Sequence, residues 1–468
     1  MTSYTMSIDG EQQRGAGSFD VINPATEEPC GQAPECSRDQ LNAAVAAAKR
    51  AFTTWKRDEG ARRQALKRAA ELLLAKAGEI ANTLTLEQGK PIAQATGEVM
   101  GAAAQLKHAA DMPLPYEVTR DDEKQKIEIC YRPYGVVAGI TPWNFPVMIA
   151  MSKIAPALLA GNTMVLKPSP FTPLATLQLG AVLQAALPPG VLNVVSGGNE
   201  LGGWITSHPD VKKISFTGSV PTGKKVAESA ASDLKRVTLE LGGNDPAIIL
   251  DDVDPAKIAP QLFWSSFMNC GQICIAVKRI YTPEKLFEPI VSAIAALAKE
   301  VKVGDGLDPT TQVGPINNAM QLERVSGLVA DAKKRGARVH AGGDRLARKG
   351  YFFGPTVLSE LDDSAPVVAE EQFGPVVPVL QYRELDDVIA RANNTSYGLG
   401  ASVWSSNPER AKEVAKEVDA GTVWINQHVA LSPHAPFGGA KHSGLGEAGG
   451  RWALASFMQK VVVNQRKG

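Results

Sequence analysis

The sequence predicts an α/β protein with more than one domain. Its 468 residues exceed the usual length of one domain, and 44% hydrophobic with 21% charged residues is typical of a globular chain. After Pro133, short β-branched runs alternate with segments of helical length. That alternation predicts βαβ units around a parallel sheet.

The charge balance argues against two classes of partner. Lysine plus arginine and aspartate plus glutamate each total 49, so the formal net charge is zero. Such a chain has no overall electrostatic attraction to nucleic acid or to an anionic membrane. We therefore expect small-molecule partners held in shaped pockets, with no nucleic acid and no membrane among them.

The elements are predicted in order along the chain. Between residues 39 and 108, apolar residues recur at helical spacing, with Gly60, Gly89 and Pro91 as the expected interruptions, which predicts a group of helices. A first sheet is predicted from β-branched runs. These runs are 136–141, 163–167, 191–196, 212–217 and 236–240.

A second α/β unit is predicted after Gly243. Its strands are expected at 278–281, 376–382 and 422–426. Residues 111–131 are charged and then strand-like, and together with the apolar tail 457–463 they predict a projecting hairpin with a partner strand.

Cysteine usage and hydropathy predict a soluble, cytoplasmic protein. The five cysteines are too few and too irregularly spaced for a disulfide framework, which favours a reducing compartment. The first residues lack the basic and apolar regions of a secretion signal. The uncharged stretches 133–152 and 168–199 are interrupted by prolines, so neither predicts a membrane span.

Two glycine-rich segments resemble nucleotide-binding motifs. Residues 444–449 match G-x-G-x-x-G, but no strand precedes them, which favours a loop. Residues 218–225 approach a P-loop, although Lys225 replaces the magnesium-binding Ser or Thr. A glycine-rich turn at a helix N-terminus remains, and it favours phosphate binding by Gly218, Ser219 and Gly223 without metal. A P-loop nucleotide hydrolase is kept as an alternative.

Cys274 is the leading candidate nucleophile. It follows the Gly-Gln pair 271–272, which permits close backbone approach, and a thiolate attacks carbonyl carbon without help from a metal. Cys270 lies four residues earlier, a helical spacing too wide for a disulfide. The other cysteines, Cys30, Cys36 and Cys130, are expected to be buried small hydrophobes. No zinc-ligand spacing is present, so no metal is expected.

Glu240 and Asn144 are candidates whose residue context leaves two interpretations open. Glu240 lies between apolar neighbours before two glycines, so it is either a solvated strand end or a general base with raised proton affinity. Asn144 lies between aromatic residues and prolines, so it is either a turn residue or a donor to an oxyanion.

Taken together and in this order, these segments resemble the aldehyde dehydrogenase superfamily, the NAD(P)-dependent enzymes that oxidise aldehydes to acids. The likeness runs from residues 22–26 to the 436–439 and 443–446 motifs. It implies a variant Rossmann cofactor domain, an α/β catalytic domain and a small oligomerisation hairpin with a tail, which builds a homodimer or homotetramer. The implied limits are 1–111 with 132–242, then 243–454, and 112–131 with 455–468.

The resemblance also implies roles for the candidate residues. Cys274 would be the nucleophile, the Asn144 amide and the Cys274 N–H would form the oxyanion hole, and Glu240 would activate water to hydrolyse a thioester. Members that transfer the acyl group to coenzyme A lack this glutamate, so hydrolysis to a free acid is expected.

The cofactor and substrate residues follow from the same resemblance. NAD or NADP would be held by Trp143 beside the adenosine half, Lys167 at the adenosine ribose, Gly218, Ser219 and Gly223 near the pyrophosphate, and Glu371 and Phe373 at the nicotinamide ribose and ring. The aldehyde would be lined by Phe145, Ile149, Ser152, Ile273, Ile275, Leu431 and His434. This mostly apolar lining favours a medium-sized uncharged or aromatic aldehyde.

Two departures from the family pattern bear on specificity. Many NAD-preferring members carry Glu where this chain has Pro170, and the loss of that carboxylate removes repulsion of a 2′-phosphate. Ser152 stands where succinate-semialdehyde enzymes have Arg and betaine-aldehyde enzymes often have Trp, so neither substrate is indicated. A non-catalytic binding or structural protein that retained the fold is the other alternative. The joint presence of nucleophile, amide and base argues against it.

Overall fold

The computed structural model describes residues 4–467. Residues before 112 form two short hairpins and four helices. They are β1 (Met6–Ile8), β2 (Glu11–Gln13), β3 (Gly17–Asn23), β4 (Glu28–Glu35), α1 (Arg38–Trp55), α2 (Glu59–Ala75), α3 (Ala77–Gln88) and α4 (Ile92–Asp111). Local signals set the helix limits: Ser37 and Gln40 form a capping box before α1, and Gly89 ends α3 in the left-handed region.

Two long antiparallel strands follow, and then strands alternate with helices. The antiparallel strands are β5 (Glu117–Asp121) and β6 (Gln125–Pro133). The alternating elements are β7 (Val136–Ile140), α5 (Pro146–Leu159), β8 (Thr163–Lys167), α6 (Leu174–Gln184), β9 (Leu192–Val194), α7 (Asn199–Ser207), β10 (Val211–Thr217), α8 (Val220–Ala231) and β11 (Arg236–Glu240).

The second half repeats the α/β alternation. Its elements are β12 (Asp245–Ile249), α9 (Pro255–Phe267), β13 (Val277–Pro283), α10 (Phe287–Glu300), α11 (Ala319–Lys334), β14 (Arg338–Ala341), β15 (Thr356–Ser359), α12 (Pro366–Ala369), β16 (Val376–Tyr382), α13 (Leu385–Asn393), β17 (Gly400–Trp404), α14 (Pro408–Lys416) and β18 (Thr422–Ile425). The chain closes with β19 (Gly444–Leu445), α15 (Gly450–Ser456) and β20 (Met458–Arg466).

The first large sheet has the strand order β19-β11-β10-β7-β8-β9-β1-β2. Its five central strands, β11 to β9 in that order, pair in parallel, which confirms the predicted parallel sheet. The edges differ from the prediction, because β1 pairs antiparallel with β9 and β19 pairs antiparallel with β11. Both edge strands come from distant parts of the chain, which local sequence patterns do not reveal.

The second large sheet has the order β14-β15-β16-β13-β12-β17-β18. It is parallel except for β14, which runs antiparallel to β15 at the edge. The predicted strands correspond to β13, β16 and β18, whereas β12, β14, β15 and β17 were not expected from the sequence. A smaller sheet joins β20, β6 and β5, so the tail strand does pair with the projecting hairpin.

The architecture gathers the candidate residues at one edge of the first sheet. Asn144 follows β7, Lys167 ends β8, Gly218 follows β10 and Glu240 ends β11. In open α/β sheets, ligands bind at the carboxyl ends of the parallel strands. Among residues 4–467, no helix is both long and apolar enough to cross a lipid bilayer.

Candidate active site

The turn after β10 leads directly into a helix N-terminus. Ser219 is the N-cap of α8, and its hydroxyl accepts a hydrogen bond from the Thr222 N–H. Residues 220–225 already belong to α8, and Lys225 is exposed on it. The segment therefore lacks the open loop before the helix that a P-loop uses, and the nucleotide-hydrolase alternative is wrong. What remains is a glycine-containing turn at a helix N-terminus, a feature whose free N–H groups favour anions.

Gly223 has a packing role in this turn. A Cβ atom at Gly223 would lie 2.5 Å from Leu241 Cδ2, so α8 approaches the end of β11 only because this side chain is missing. The other glycine-rich segment, 444–449, provides β19 as an edge strand on β11. The predicted loop thus begins as a short strand, and the helix that follows it, α15, leads into β20 of a different sheet.

Lys167 is a buried cation at the end of β8. It is 4% exposed, and its Nζ donates to the neighbouring carbonyl of Pro168 at 3.1 Å. Burial lowers the pKa of this ammonium to about 8. Among residues 4–467, no carboxylate forms an ion pair with it. A buried ammonium of this kind fits hydroxyl or phosphate oxygens of a nucleotide.

Glu371 and Phe373 lie across from the first sheet. The Gly243 N–H donates to Glu371 Oε1 at 3.1 Å, and a Cβ at Gly242 would lie 2.1 Å from Glu371 Oε2, so the two glycines make room for this carboxylate. The Phe373 ring packs edge-to-face on Trp143 at 5.2 Å between centroids. The resemblance assigns Trp143 to the adenosine half, whereas this contact puts it next to the residue assigned to the nicotinamide ring.

The loop that carries the candidate nucleophile, Cys274, has an unusual backbone. After α9, the consecutive residues Asn269, Cys270 and Gly271 have φ values of 52°, 59° and 68°. Left-handed non-glycine residues are costly, and they concentrate at functional sites. Asn269 stabilises the loop through its side-chain amide, which donates to Asn144 O at 3.1 Å and Gln272 O at 3.3 Å.

Cys274 is half-buried just before β13. Burial raises the pKa of its thiol to about 12, the charge of Lys278 opposes that rise, and the Glu371 and Asp245 carboxylates add to it. A thiol with such a pKa is protonated near neutral pH and needs a base to become a nucleophile. Cys270 is fully buried and its thiol pKa is raised by the same cause.

The remaining cysteines divide by exposure. Cys36 is buried as expected, but Cys30 and Cys130 are half-buried, which corrects the expectation of full burial. All are free thiols, as are Cys270 and Cys274. Among residues 4–467, no cluster of His, Cys, Asp or Glu side chains is arranged to hold a metal ion.

Asn144 is held rigidly beside the nucleophile loop. Its Nδ2 donates to Gln272 O at 3.0 Å, two residues before Cys274, and its buried Oδ1 has no hydrogen-bond partner among the described residues. Its backbone carbonyl accepts from Lys90 Nζ at 2.8 Å as well as from Asn269. The turn interpretation alone does not account for this set of contacts.

A buried ion pair supports that arrangement from behind. Lys90 Nζ lies 2.5 Å from Glu98 Oε2, and the two side chains are 0% and 1% exposed. Glu98 Oε1 accepts from the N–H groups of Val147 and Met148 at 2.9 and 3.1 Å, which caps the start of α5. The pair therefore joins α4 to both Asn144 and the first turn of α5.

Glu240 is a buried carboxylate with no hydrogen bond. It is 7% exposed, and neither carboxylate oxygen has a partner among the described residues. Burial raises its pKa, and the ammonium of Lys153 opposes that effect. Lys153 Nζ donates to Ser215 Oγ at 3.1 Å and Thr217 Oγ1 at 2.8 Å, and Thr217 is the register neighbour of Glu240. These properties fit a general base for water.

An apolar cluster surrounds the nucleophile. It contains the predicted pocket residues Phe145, Ile273 and Ile275, with Cys274 packed against it. It also contains residues that the sequence did not single out: Met268, Leu399, Trp424, Val429 and Phe437. Aliphatic and aromatic neighbours around the Cys274 thiol are suited to an uncharged ligand.

The other predicted pocket residues lie farther from the buried cluster. Ile149 and Ser152 are half-buried on α5, one and two turns beyond Phe145. Leu431 is 61% exposed and His434 is also exposed, so both belong to the protein surface. The His434 ring stands edge-on to His108 at 6.0 Å, a neighbour that the sequence analysis missed.

Four charged residues of the site were also missed: Lys90, Glu98, Lys153 and Lys278. A signal was available for one of them, because Lys153 is the only charged residue between Arg132 and Lys167. A lone lysine in an apolar run is rarely buried unless it is paired. The other three lie in ordinary mixed sequence, and only the folded chain reveals their partners.

Comparison with known proteins gives a consistent result over nearly the whole chain. The family model described as "Aldehyde dehydrogenase family" matches residues 11–463. The putative aldehyde dehydrogenase FUS7 of Gibberella fujikuroi is 39% identical over 453 residues, which cover 97% of this chain and 96% of that protein.

Two further relatives differ in the cofactor that their names state. The NADP⁺ succinate-semialdehyde dehydrogenase GabD of Escherichia coli is 37% identical over 460 residues, which cover 97% of this chain and 95% of that protein. The NAD⁺ complex of an aldehyde dehydrogenase from Bacillus cereus matches with a TM-score of 0.97 and 36% identity, and it covers 99% of this chain and 97% of that one.

Proposed function

The chain belongs to the aldehyde dehydrogenase family, whose NAD(P)-dependent oxidation of an aldehyde it carries out, and we propose that Cys274 is the nucleophile of that reaction. The thiolate would add to the aldehyde carbon and form a thiohemiacetal. The apolar cluster around Cys274 supports this role, because it excludes water from the competing hydration of the aldehyde.

The oxyanion of the adduct would be stabilised by two N–H donors. One is the Asn144 amide, which lies against the nucleophile loop through its bond to Gln272 O. The other is the backbone N–H of Cys274. Fixed donors aimed at a developing oxyanion give a large part of the rate in such reactions, since they need no reorganisation as the charge forms.

NAD or NADP would bind along the carboxyl edge of the first sheet. Ser219 and the start of α8 would face the pyrophosphate, Lys167 the adenosine ribose, and Glu371 with Phe373 the nicotinamide half. The buried Lys167 ammonium without a carboxylate partner in residues 4–467 is the feature that best fits a nucleotide. When bound there, the dinucleotide would supply the hydride acceptor that oxidation of the aldehyde needs.

Glu240 would complete the reaction as the base for hydrolysis. Its unpaired, buried carboxylate has the raised proton affinity that such a base needs, and Lys153 keeps that affinity from rising further. Water deprotonated by Glu240 would attack the thioester, release the carboxylic acid and return the Cys274 thiolate.

The observation that carries the proposal is the hydrogen bond of the Asn144 amide to the loop of Cys274, because it brings an oxyanion donor to the nucleophile. The direct test is Cys274→Ala. Turnover should fall by at least about 10⁴-fold while the dinucleotide still binds, as followed by fluorescence titration. Activity close to that of the wild type would mean that another residue is the nucleophile.

We infer that the substrate is a medium-sized uncharged or aromatic aldehyde. The support is the apolar cluster at Cys274 together with Ser152, which supplies no cation for a distal carboxylate. A panel of aliphatic, aromatic and carboxylated aldehydes tests this inference. We expect kcat/KM to be highest for hexanal or benzaldehyde, and a preference for succinate semialdehyde would contradict it.

We propose that the protein works as a homodimer or homotetramer assembled through the small sheet, residues 112–131 with 455–468. That sheet exposes Val462, Val463, Tyr116 and Val118, which are 63%, 45%, 57% and 43% exposed. Residues 1–111 with 132–242 would form the dinucleotide-binding part, and 243–454 the catalytic part.

Sedimentation velocity of a Val462→Asp variant tests this assembly. A charge on that surface should shift the protein toward monomer, whereas Met320→Asp, a control at an apolar side chain 67% exposed on α11, should not. An unchanged oligomer in the first variant would contradict the assignment. The five free thiols support a cytoplasmic location, which subcellular fractionation would test.

A further inference from the structure

Lys278 is a buried cation at the start of β13 whose partners are all parts of the candidate site. Its side chain is 2% exposed. Its Nζ donates to Ile273 O at 2.8 Å, to Cys274 O at 2.6 Å and, at a longer 3.5 Å, to Ala276 O in the apolar cluster around Cys274. The same nitrogen lies 3.6 Å from Glu371 Oε1. The ammonium therefore contacts both the nucleophile loop and the carboxylate assigned to the nicotinamide ribose.

The two carbonyls closest to Lys278 Nζ belong to the peptide groups on either side of the Cys274 Cα. Ile273 C=O and Cys274 N–H share one planar peptide group, so a cation on that carbonyl fixes the direction of the N–H. It also polarises the group, because charge-assisted hydrogen bonds are stronger than neutral ones. Among residues 4–467, the Cys274 N–H has no hydrogen-bond acceptor, which leaves it free for a ligand.

We propose that Lys278 is a positioning residue for the oxyanion hole: it orients the peptide whose N–H is the backbone donor and ties that peptide to Glu371. The proposal rests on the assignment of Cys274 as nucleophile. It adds a residue to which neither the sequence motifs nor the family likeness assigned a role. No new bond is made or broken, because Lys278 acts through the backbone of the nucleophile.

The neighbouring glycine shows that the close approach is specific. A Cβ atom at Gly243 would lie 2.7 Å from Cys274 O, so only glycine allows that carbonyl to reach its position near Lys278. The Gly243 N–H donates to Glu371 Oε1, the same oxygen that faces Lys278. Lys278 and Gly243 thus hold the backbone of Cys274 and the carboxylate of Glu371 at a fixed distance from each other.

A purely structural role is the alternative, since any buried lysine must satisfy its N–H donors. Lys235 provides a matched control for that role. Its side chain is also 2% exposed, and its Nζ donates to Thr206 O at 2.8 Å and lies 3.2 Å from Asp233 Oδ2. It lies just before β11 and contacts none of the candidate catalytic residues. Lys235→Met therefore measures the cost of losing a buried lysine without touching the site.

The test compares Lys278→Met, Lys278→Gln and Lys278→Arg with Lys235→Met in the full-length enzyme. Glutamine keeps a donor without the charge, and arginine keeps the charge. The first readout is the pre-steady-state burst of reduced nicotinamide. The second is the pH dependence of iodoacetamide alkylation of Cys274, corrected with Cys274→Ala. Thermal unfolding reports on folding in every variant.

We expect Lys278→Met to slow the burst about ten- to a hundredfold, because small displacements of a catalytic donor have effects of that size. Its alkylation profile should move to higher pH, since the Lys278 charge lowers the thiol pKa. Lys278→Gln should have a faster burst than Lys278→Met, but its alkylation profile should stay shifted to higher pH. Lys278→Arg should bring the alkylation profile back toward that of the wild type. Lys235→Met should change only the unfolding temperature.

A burst rate and alkylation profile in Lys278→Met that match those of Lys235→Met would overturn the proposal. Loss of folding in Lys278→Met leaves the glutamine and arginine variants as the deciding comparison, and wild-type values in both would also overturn it. Activity in Cys274→Ala would instead refute the nucleophile assignment, so failure of the two proposals gives different results.

Discussion

At the scale of single residues, the site depends on charged groups that are buried where charge is costly. Glu240 lies without a hydrogen bond, Lys153 donates only to hydroxyls, and Lys167 donates to a neighbouring carbonyl. Burial raises the pKa of the carboxylate and lowers the pKa of both lysines. Perturbed groups of this kind are typical of catalytic and ligand-binding positions.

Lys153→Met should shift the pH dependence of hydrolysis. The Lys153 charge lowers the pKa of Glu240, so its removal raises that pKa, and the carboxylate then becomes ionised only at higher pH. In a plot of deacylation rate against pH, the rising limb should therefore move to higher pH. Acid quench after a single turnover measures that rate. Lys213→Met removes a buried lysine that donates to Thr238 Oγ1, and it should leave the limb in place. Equal pH profiles for the two variants would exclude an effect of the Lys153 charge on the pKa of Glu240.

Pro170→Glu should shift the cofactor preference toward NAD. Pro170 is half-buried three residues after Lys167, where a carboxylate would repel a 2′-phosphate and accept from a free ribose hydroxyl. We expect the ratio of kcat/KM for NADP to that for NAD to fall about tenfold or more, which corresponds to about 1.4 kcal/mol. Pro170→Gln controls for the loss of proline. An unchanged ratio in the glutamate variant would place the discrimination elsewhere.

The sequence singled out candidate catalytic residues but not the groups that contact them. Cys274, Asn144 and Glu240 lie in short motifs that can be read locally. Whether Asn144 was a turn residue or a donor depended on Gln272, which lies 128 positions away in the chain. Lys90 depends on a distant contact of the same kind, with Asn144 O. Lys278 binds nearby carbonyls, but its link to Glu371 is distant in the chain, and no sequence pattern indicates that its side chain turns back onto the Cys274 loop.

At the scale of elements, one buried ion pair connects α4, α5 and the turn that carries Asn144. Lys90 and Glu98 form an ion pair. Lys90 also donates to the carbonyl of Asn144 just before α5, and Glu98 accepts from the Val147 N–H in the first turn of α5. A buried pair adds little net stability compared with an apolar replacement, but the loss of one partner leaves an uncompensated charge. This arrangement makes the two helices sensitive to either single substitution.

Lys90→Met should destabilise the protein by about 3–5 kcal/mol, because Glu98 remains buried without its partner. It should also lower kcat, since the carbonyl of Asn144 loses a charged donor. Urea unfolding and steady-state kinetics measure the two effects. The double variant Lys90→Met/Glu98→Gln removes the charge and keeps an acceptor for the α5 N–H groups, so part of the stability should return. A double variant less stable than the single one would contradict this account.

Prediction of elements succeeded where periodicity was strong. The helices before residue 112 and the central strands of the first sheet follow from apolar spacing and β-branched runs. The strand β12 was missed, although it lies in the middle of the second sheet between β13 and β17. It begins one residue after the glycine pair that follows Glu240, and its first residues are Asp245 and Pro246, two residue types that are depleted in strands.

At the scale of the whole molecule, distant segments complete each sheet. In the first sheet, β1 from the N-terminal part of the chain pairs with β9, and β19 from the C-terminal part pairs with β11. In the small sheet, β20 pairs along its full length with β6. Such pairings are chosen by the folded chain as a whole, so the sequence predicted the parallel core but not its antiparallel edges. The family likeness supplied the overall arrangement that local patterns did not.

The central claim is that the reaction passes through an acyl group on Cys274 that Glu240 helps to hydrolyse. The most direct measurement is mass spectrometry of Glu240→Gln enzyme, quenched in acid after incubation with an aldehyde and NAD or NADP. We predict one acyl group on the peptide that contains Cys274, one equivalent of reduced nicotinamide and deacylation slower by about 10²–10⁴-fold. Unmodified Cys274 with steady turnover at the wild-type rate would contradict the account.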